Sequence, residues 1–281
     1  VLFSAKAILV KLAYRYEVDP TTLIAMRMLV ALPFFVLAAW WIERRVPIVW
    51  RCADGFRVGV LGLLGYYLAS YLDFIGLQYI SAGLERIILY LNPTLVLLIS
   101  AMALKRRIRR HELVALAMAY AGVFAVFAHD VSLEGQNVPL GSALVFGSAL
   151  SYALYLVISG ESVKRFGPVR LTAWASIVAS LACIAQALVI DAGALAGQPA
   201  PVWWLSLING TVCTVLPVFL VMFAIDRIGS AAAAQTGMLG PVATIGLGAL
   251  VLGEPVSGMQ LVGTAIVLAG IFYLTRQQRR A

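Results

Sequence analysis

Five ionisable side chains stand inside otherwise apolar stretches of this chain: Lys6, Lys11, Arg27, Glu85 and Arg86. A charge at the centre of a bilayer costs on the order of 2.5–3.5 kcal/mol on insertion scales, so each needs a partner, a route to the headgroups or a watery cavity. Lys11, Arg27, Glu85 and Arg86 fall at a similar depth, which predicts one basic cluster with Glu85 as its single acid. Lys11 and Arg27 keep two readings, snorkelling to the headgroups or pairing within a bundle. Glu85 and Arg86 are neighbours about 100° apart on a helix and do not both face lipid, so they are read as lining a cavity. A net positive vestibule attracts a carboxylate or a phosphate and disfavours simple organic cations.

Polar and aromatic residues extend the candidate site. Tyr66, Tyr67, Ser70 and Tyr71 fall together, Tyr90 precedes Asn92, and Ser148, Tyr152 and Tyr155 recur at helical spacing, with Trp174, Asn209, Thr211, Gln235 and Thr236 elsewhere. Such residues either pack a core or form an aromatic pocket with a few convergent polar groups. From this set Tyr67, Tyr71, Tyr90, Asn92, Tyr152, Tyr155, Trp174, Gln235 and Thr236 join Lys11, Arg27, Glu85 and Arg86 as candidate substrate contacts. Two helix breaks lie at mid-stretch, Asn92-Pro93 and Gly240-Pro241. Each proline frees the carbonyl four residues back, here Leu89 and Gly237, and a cavity or substrate can then bond it. Pro93, Gly240 and Pro241 are therefore the expected hinge; Pro33 and Pro217 are read as ordinary kinks.

Other chemistry finds no footing. Cys52, Cys183 and Cys213 are far apart without ligand spacing, and the two histidines, His111 and His129, lie at stretch ends. No metal, no cofactor and no catalytic constellation is expected.

The elements that hold these residues are set by composition. The 281 residues are 62% hydrophobic and 12% charged, with mean hydropathy +0.94, and their apolar runs approach the roughly 20 residues that cross a bilayer. Breaks at charge, proline and glycine give ten spans, near 1–15, 20–42, 55–75, 80–104, 110–127, 139–160, 168–190, 202–224, 229–252 and 257–275. The chain opens at Val1 in an apolar stretch without a basic leader. No cleavable signal is expected, and the first span is read as trimmed.

The second half repeats the first without gaps: Pro20 falls on Pro168, Gly62 on Gly210, Pro93 on Pro241 and Gly122 on Gly270, each pair 148 residues apart. The charges disagree. The turn Lys105–Arg110 is basic, whereas its counterpart Gly253–Gly258 carries Glu254. Basic loops stay cytoplasmic, so the copies insert upside down relative to each other. The expected fold is all-α and integral to the membrane: ten transmembrane helices as two inverted five-helix repeats around a central cavity. The first repeat covers 1–127, a connector 128–138, the second repeat 139–275 and a basic cytoplasmic tail 276–281. Both termini face the cytoplasm, and the acidic turns, with Asp73 counted among them, face outside. The net charge of +8 is a topology signal, and no nucleic-acid partner is expected. Trp40, Trp41, Trp50, Trp203 and Trp204 are interfacial anchors, and Gly59, Gly62 and Gly65 provide a close-packing helix face.

The residues now on the page resemble the drug/metabolite transporter superfamily in its ten-span form with two EamA domains. Its most recognisable stretch is matched by Gly253-Glu254-Pro255-Val256-Ser257-Gly258-Met259-Gln260-Leu261-Val262-Gly263, and the first copy matches through Ser81-Ala82, Leu91-Asn92-Pro93 and Pro20 to Arg27. The first copy departs at 105–112, where a basic run replaces the Glu-Pro pattern. The resemblance implies a basket of helices with substrate held between the repeats, and within the superfamily the chain looks like the bacterial aromatic amino acid exporter type. The expected function is alternating-access export of small carboxylate-bearing metabolites, amino acids including aromatic ones, across a bacterial inner membrane by a monomer. Phosphate-bearing metabolites such as sugar phosphates or nucleotide-sugars are the alternative within transport. A structural or assembly membrane protein is the alternative of another class.

Overall fold

A backbone that crosses hydrocarbon must satisfy its own hydrogen bonds, which leaves helices as the economical solution for a chain of this composition. The computed structural model describes residues 2–103, 110–134, 137–235, 246–253 and 256–278, and the regular elements among them are helical. In order they are α1 (Leu2–Tyr14), α2 (Pro20–Arg45), α3 (Cys52–Gly76), α4 (Ala82–Ala103), α5 (Arg110–Glu134), α6 (Val138–Phe166), α7 (Pro168–Ala196), α8 (Ala200–Ser230) and a C-terminal helix, Gly258–Gln278. Six of the described helices are long and apolar enough to cross a membrane: α2, α3, α4, α6, α7 and α8. Large apolar side chains cover the outside, among them Leu37, Phe124, Leu181, Trp204 and Phe272. That surface belongs in lipid, since water tolerates apolar patches of only a few hundred Å².

Helix starts follow local chemistry. Asp19 caps α2 by accepting from Thr21 N at 2.8 Å and Thr22 N at 3.2 Å, and Pro20 occupies the position where a missing N–H costs nothing. Ser81 caps α4 through Leu84 N at 3.1 Å. The corresponding positions 148 residues on, Gly167 and Gly229, turn differently, with φ of 74° and 80° in place of −65° and −67°, a region that glycine enters without steric cost.

Two joints differ from expectation. Helix α5 runs to Glu134 and takes up most of the expected connector 128–138, because the polar residues there end an apolar window without breaking a helix. Helix α7 bends at Asp191 (φ −155°, ψ 98°) and resumes to Ala196. The Asp191 carboxylate accepts from Gly193 N at 2.9 Å and Ala194 N at 3.2 Å and so restarts the helix.

Several landmarks recur at one offset. Pro20 and Pro168 open α2 and α7, and Cys52 and Ala200 open α3 and α8. A single π-helical turn interrupts α3 from Leu63 and α8 from Thr211. All three pairs are 148 residues apart.

The packing is reciprocal as well. Helix α2 lies along α7, α3 against α7, α8 against α2, and α5 along the C-terminal helix. A Cβ on Gly62 would strike the carbonyl oxygen of Ala175, and one on Gly210 would stand 2.8 Å from the carbonyl oxygen of Arg27. A Cβ on Gly122 would stand 2.7 Å from Gly263 O, and one on Gly270 3.0 Å from Ala115 O. Within each couple, a shift of 148 turns one contact into the other.

Candidate functional site

The charged residues converge near the junction of α1 to α4. Lys6 of α1 reaches Asp73 of α3, with Nζ 2.5 Å from Oδ2. Glu85 lies in the first turn of α4, where the helix N-terminus favours a carboxylate. Its Oε2 stands 3.6 Å from Arg86 Nε, and its charge is also felt by Asp73 and Lys6. Arg27 of α2 lays its guanidinium over the ring of Phe74, 4.7 Å from the centroid, with Asp73 and Tyr14 among its electrostatic neighbours. Tyr14 donates to Phe74 O at 2.6 Å, closing one of the carbonyls that the last turn of α3 leaves open.

Five charges from four helices thus share one buried region, three basic and two acidic. Arg27 is 3% exposed, Asp73 1% and Glu85 0%. Among the described residues, several of their polar atoms have no hydrogen-bond partner: Arg27 Nε and Nη2, Asp73 Oδ1, and both oxygens of Glu85. Buried polar groups are seldom left so, and those that are call for an explanation. The arrangement offers a cation for an arriving anion and acidic oxygens for an arriving donor.

Asp73 corrects the sequence reading. It was expected in an outer turn but is buried in the last turns of α3, so Glu85 is not the only acid. Lys6, a charge that depth along the chain leaves outside the cluster, joins it through Asp73. Lys11 lies five residues further along α1, half-buried, and makes its own contacts.

The tyrosines divide into groups. Tyr66 and Tyr155 share a short hydroxyl–hydroxyl bond with ring centroids 4.9 Å apart, and Tyr152 stacks on Tyr155 at 5.6 Å. Tyr155 is fully buried, and its ring fills the space that a side chain at position 65 would need. Ser151 and Ser148 of α6 donate to Leu64 O at 2.8 Å and Ala69 O at 2.6 Å, bracing the π-helical turn of α3. Tyr67 and Tyr71 lie parallel at 6.2 Å, half-buried. Tyr90 packs in a separate core with Ile80, Leu84, Val138 and Val145.

Asn92 has a local role. Its Nδ2 donates to Leu89 O at 2.8 Å, so the carbonyl that Pro93 frees is bonded by the adjacent side chain rather than left to a cavity. Helix α4 steps over Tyr90 and Leu91 at this point. Of the expected second break, Thr236, Gly240 and Pro241 lie outside the described residues, as does the side chain of Gln235.

Trp174 stands apart. Its Nε1 donates to Glu43 Oε1 at 3.1 Å, and the same carboxylate takes Arg170 Nε at 2.9 Å. Trp50 meets its ring edge-on at 5.8 Å. Glu43 is 16 residues beyond Arg27 on α2, or about 24 Å at 1.5 Å per residue. Trp174 is therefore fastened to the far part of α2.

Comparison with known proteins agrees with these observations. The model of the EamA-like transporter family matches residues 1–128 and 139–276. The uncharacterized transporter YcbK of Bacillus subtilis (strain 168) is 31% identical over 279 residues, covering 98% of this chain and 88% of that protein. A protein of Salmonella typhimurium (strain LT2) named probable amino-acid metabolite efflux pump is 24% identical over 207 residues, 68% of this chain and 66% of that one. A solved crystal structure 17% identical in sequence superposes with a TM-score of 0.67 over 99% of this chain and 95% of its own, which shows a common fold.

Proposed function

Because this chain belongs to the EamA-like transporter family, we propose that it is a secondary carrier that exports amino acids, aromatic ones included, by alternating access. It is a transporter rather than an enzyme, and it lies in the membrane as a multi-pass protein. The proposed architecture is ten transmembrane helices in two inverted five-helix repeats, 1–127 and 139–275, around a central cavity. The constant offset of helix starts and π-helical turns supports it. So do the reciprocal glycine contacts, the pattern expected where two like units meet about a two-fold axis. The opposite charge of equivalent loops in the sequence supports an axis in the membrane plane. On this reading the protein works as a monomer in a bacterial inner membrane, with the tail 276–281 and both termini in the cytoplasm.

The observation that carries the substrate reading is the pairing of unbonded opposites in the cluster. Among the described residues, Arg27 Nε and Nη2 lack acceptors, while Asp73 Oδ1 and the Glu85 oxygens lack donors. An amino acid supplies both, its carboxylate to Arg27 and its ammonium to the acids, through charge-assisted hydrogen bonds. The names of the efflux-pump relatives point the same way. A sugar phosphate answers the arginine and leaves two acids facing more negative charge.

Efflux of labelled L-phenylalanine from proteoliposomes tests the reading. Unlabelled L-tyrosine is expected to compete and glucose 6-phosphate to have no effect. Competition by the sugar phosphate alone would move the assignment to phosphate-bearing metabolites.

A further inference from the structure

We propose that the turn between α2 and α3 is a binding site for the headgroup of an anionic phospholipid, held by arginines stacked on tryptophans. Helix α2 ends in Trp40-Trp41-Ile42-Glu43-Arg44-Arg45, so each arginine stands four residues beyond an indole, on the same helix face. The guanidinium carbon of Arg44 lies 4.3 Å from the ring centroid of Trp40, and that of Arg45 5.0 Å from the ring centroid of Trp41. Stacking occupies the flat face of a guanidinium and leaves free its N–H edge, which can grip two oxygens of one phosphate.

The two acids of this stretch are engaged elsewhere. Glu43 takes Arg170 and Trp174 of α7, and Asp54 takes Arg165 of α6 at 2.6 Å. Both carboxylates are thus tied to the second half of the chain, while Arg44, Arg45, Arg51 and Arg57 are exposed. Among the described residues, no ion pair joins any of these four arginines to a carboxylate.

The same segment exposes large apolar side chains, Val49 at 85% and Phe56 at 76%. Water does not favour such a surface, and hydrocarbon does not accept unpaired guanidinium groups. The headgroup layer takes both, with phosphates for the arginines and acyl chains beneath for the valine and phenylalanine. A zwitterionic headgroup brings its own ammonium to the phosphate, so four unanswered positive charges select a lipid that is negative overall.

The repeat shows that the connection itself does not require these groups. In the turn 148 residues on, Ala192, Gly193, Pro199 and Leu205 stand where the four arginines are, and Leu188 and Val189 where the tryptophans are. A topology signal needs only positive charge, lysine as well as arginine. It leaves the paired tryptophans unexplained, and a phosphate-gripping fork accounts for them.

Native mass spectrometry of the detergent-purified protein, titrated with phosphatidylglycerol and phosphatidylcholine of matched chains, reads the preference directly. The parent protein is expected to bind phosphatidylglycerol about ten-fold or more tightly than phosphatidylcholine. Arg44→Gln/Arg45→Gln is expected to lose most of that preference, whereas Arg227→Gln/Arg276→Gln, which removes two exposed charges elsewhere, is expected to keep it. Arg44→Lys/Arg45→Lys keeps the charge without the fork, and Trp40→Leu/Trp41→Leu removes the stacking platform. Both are expected to fall well below the parent protein, and they carry the same test should the glutamine variant fail to fold. Equal binding of the two lipids by the parent protein, equal losses in the two glutamine variants, or full retention in the lysine variant overturns the site. Displacement of the bound lipid by millimolar inorganic phosphate would make it a site for free anions and overturns the lipid assignment.

Discussion

At the scale of single residues, burial and missing partners separate side chains that composition alone treats alike. Arg27 and Arg170 are both 3% exposed within helices. Arg170 is answered on several sides, by Glu43 at 2.9 Å, Phe166 O at 3.2 Å and Val46 O. Arg27 keeps two nitrogens without acceptors among the described residues. The first therefore holds structure together, and the second is suited to a ligand. Charge-assisted hydrogen bonds are worth about 1.5–3 kcal/mol, so Arg27→Gln should raise the KM for L-phenylalanine efflux by roughly ten- to a hundred-fold. Trp174→Phe removes only the bond to Glu43, at a cost of about 1 kcal/mol of stability. Its transport KM should match that of the parent protein, and a large change in KM would place Trp174 at the substrate after all.

At the scale of elements, irregular turns are stabilised where they occur. The break in α4 is closed by Asn92, so Asn92→Ala strands the part-buried carbonyl of Leu89 and should lower stability by about 1 kcal/mol in thermal unfolding. The π-helical turns of α3 and α8 each follow a glycine pressed against a neighbouring backbone carbonyl. Gly62→Ala and Gly210→Ala should each cost about 1–3 kcal/mol through overpacking. Gly59 faces open space, and Gly59→Ala should be neutral or mildly stabilising, since alanine is the better helix former by about 1 kcal/mol. Equal effects at all three positions would mean that close approach is not what the glycines serve.

At the scale of the whole molecule, the reciprocal contacts make further demands. Gly122 and Gly270 sit at one interface, between α5 and the C-terminal helix. Alanine at either should destabilise to a similar degree, and the double variant should cost less than the sum, because residues sharing an interface are coupled by about 0.5–3 kcal/mol. Full additivity would argue that the two contacts are independent. Orientation is open to a direct test in a background lacking Cys52, Cys183 and Cys213. A cysteine at position 280 should react with an impermeant thiol reagent only from the cytoplasmic side, as the basic tail requires; labelling from outside would reverse the topology.

The sequence by itself determined the membrane environment, the helical class and the positions where helices begin. These follow from local properties: apolar run length, capping residues such as Asp19 and Ser81, and the proline at position 20. It also picked out Arg27, Glu85 and Arg86, because a charge in an apolar run is conspicuous wherever the run folds. Only the tertiary structure brought Asp73 and Lys6 to that cluster and tied Trp174 to Glu43, 16 residues beyond Arg27 on α2. Asp73 lay near the end of its apolar run, where an acid ordinarily meets water. The π-helical turn at Leu63–Leu68 precedes it, and the extra residue in such a turn rotates everything that follows by about 100°. Periodicity fixes a residue's face only as far as the next irregular turn, and contacts between distant helices decide which faces meet.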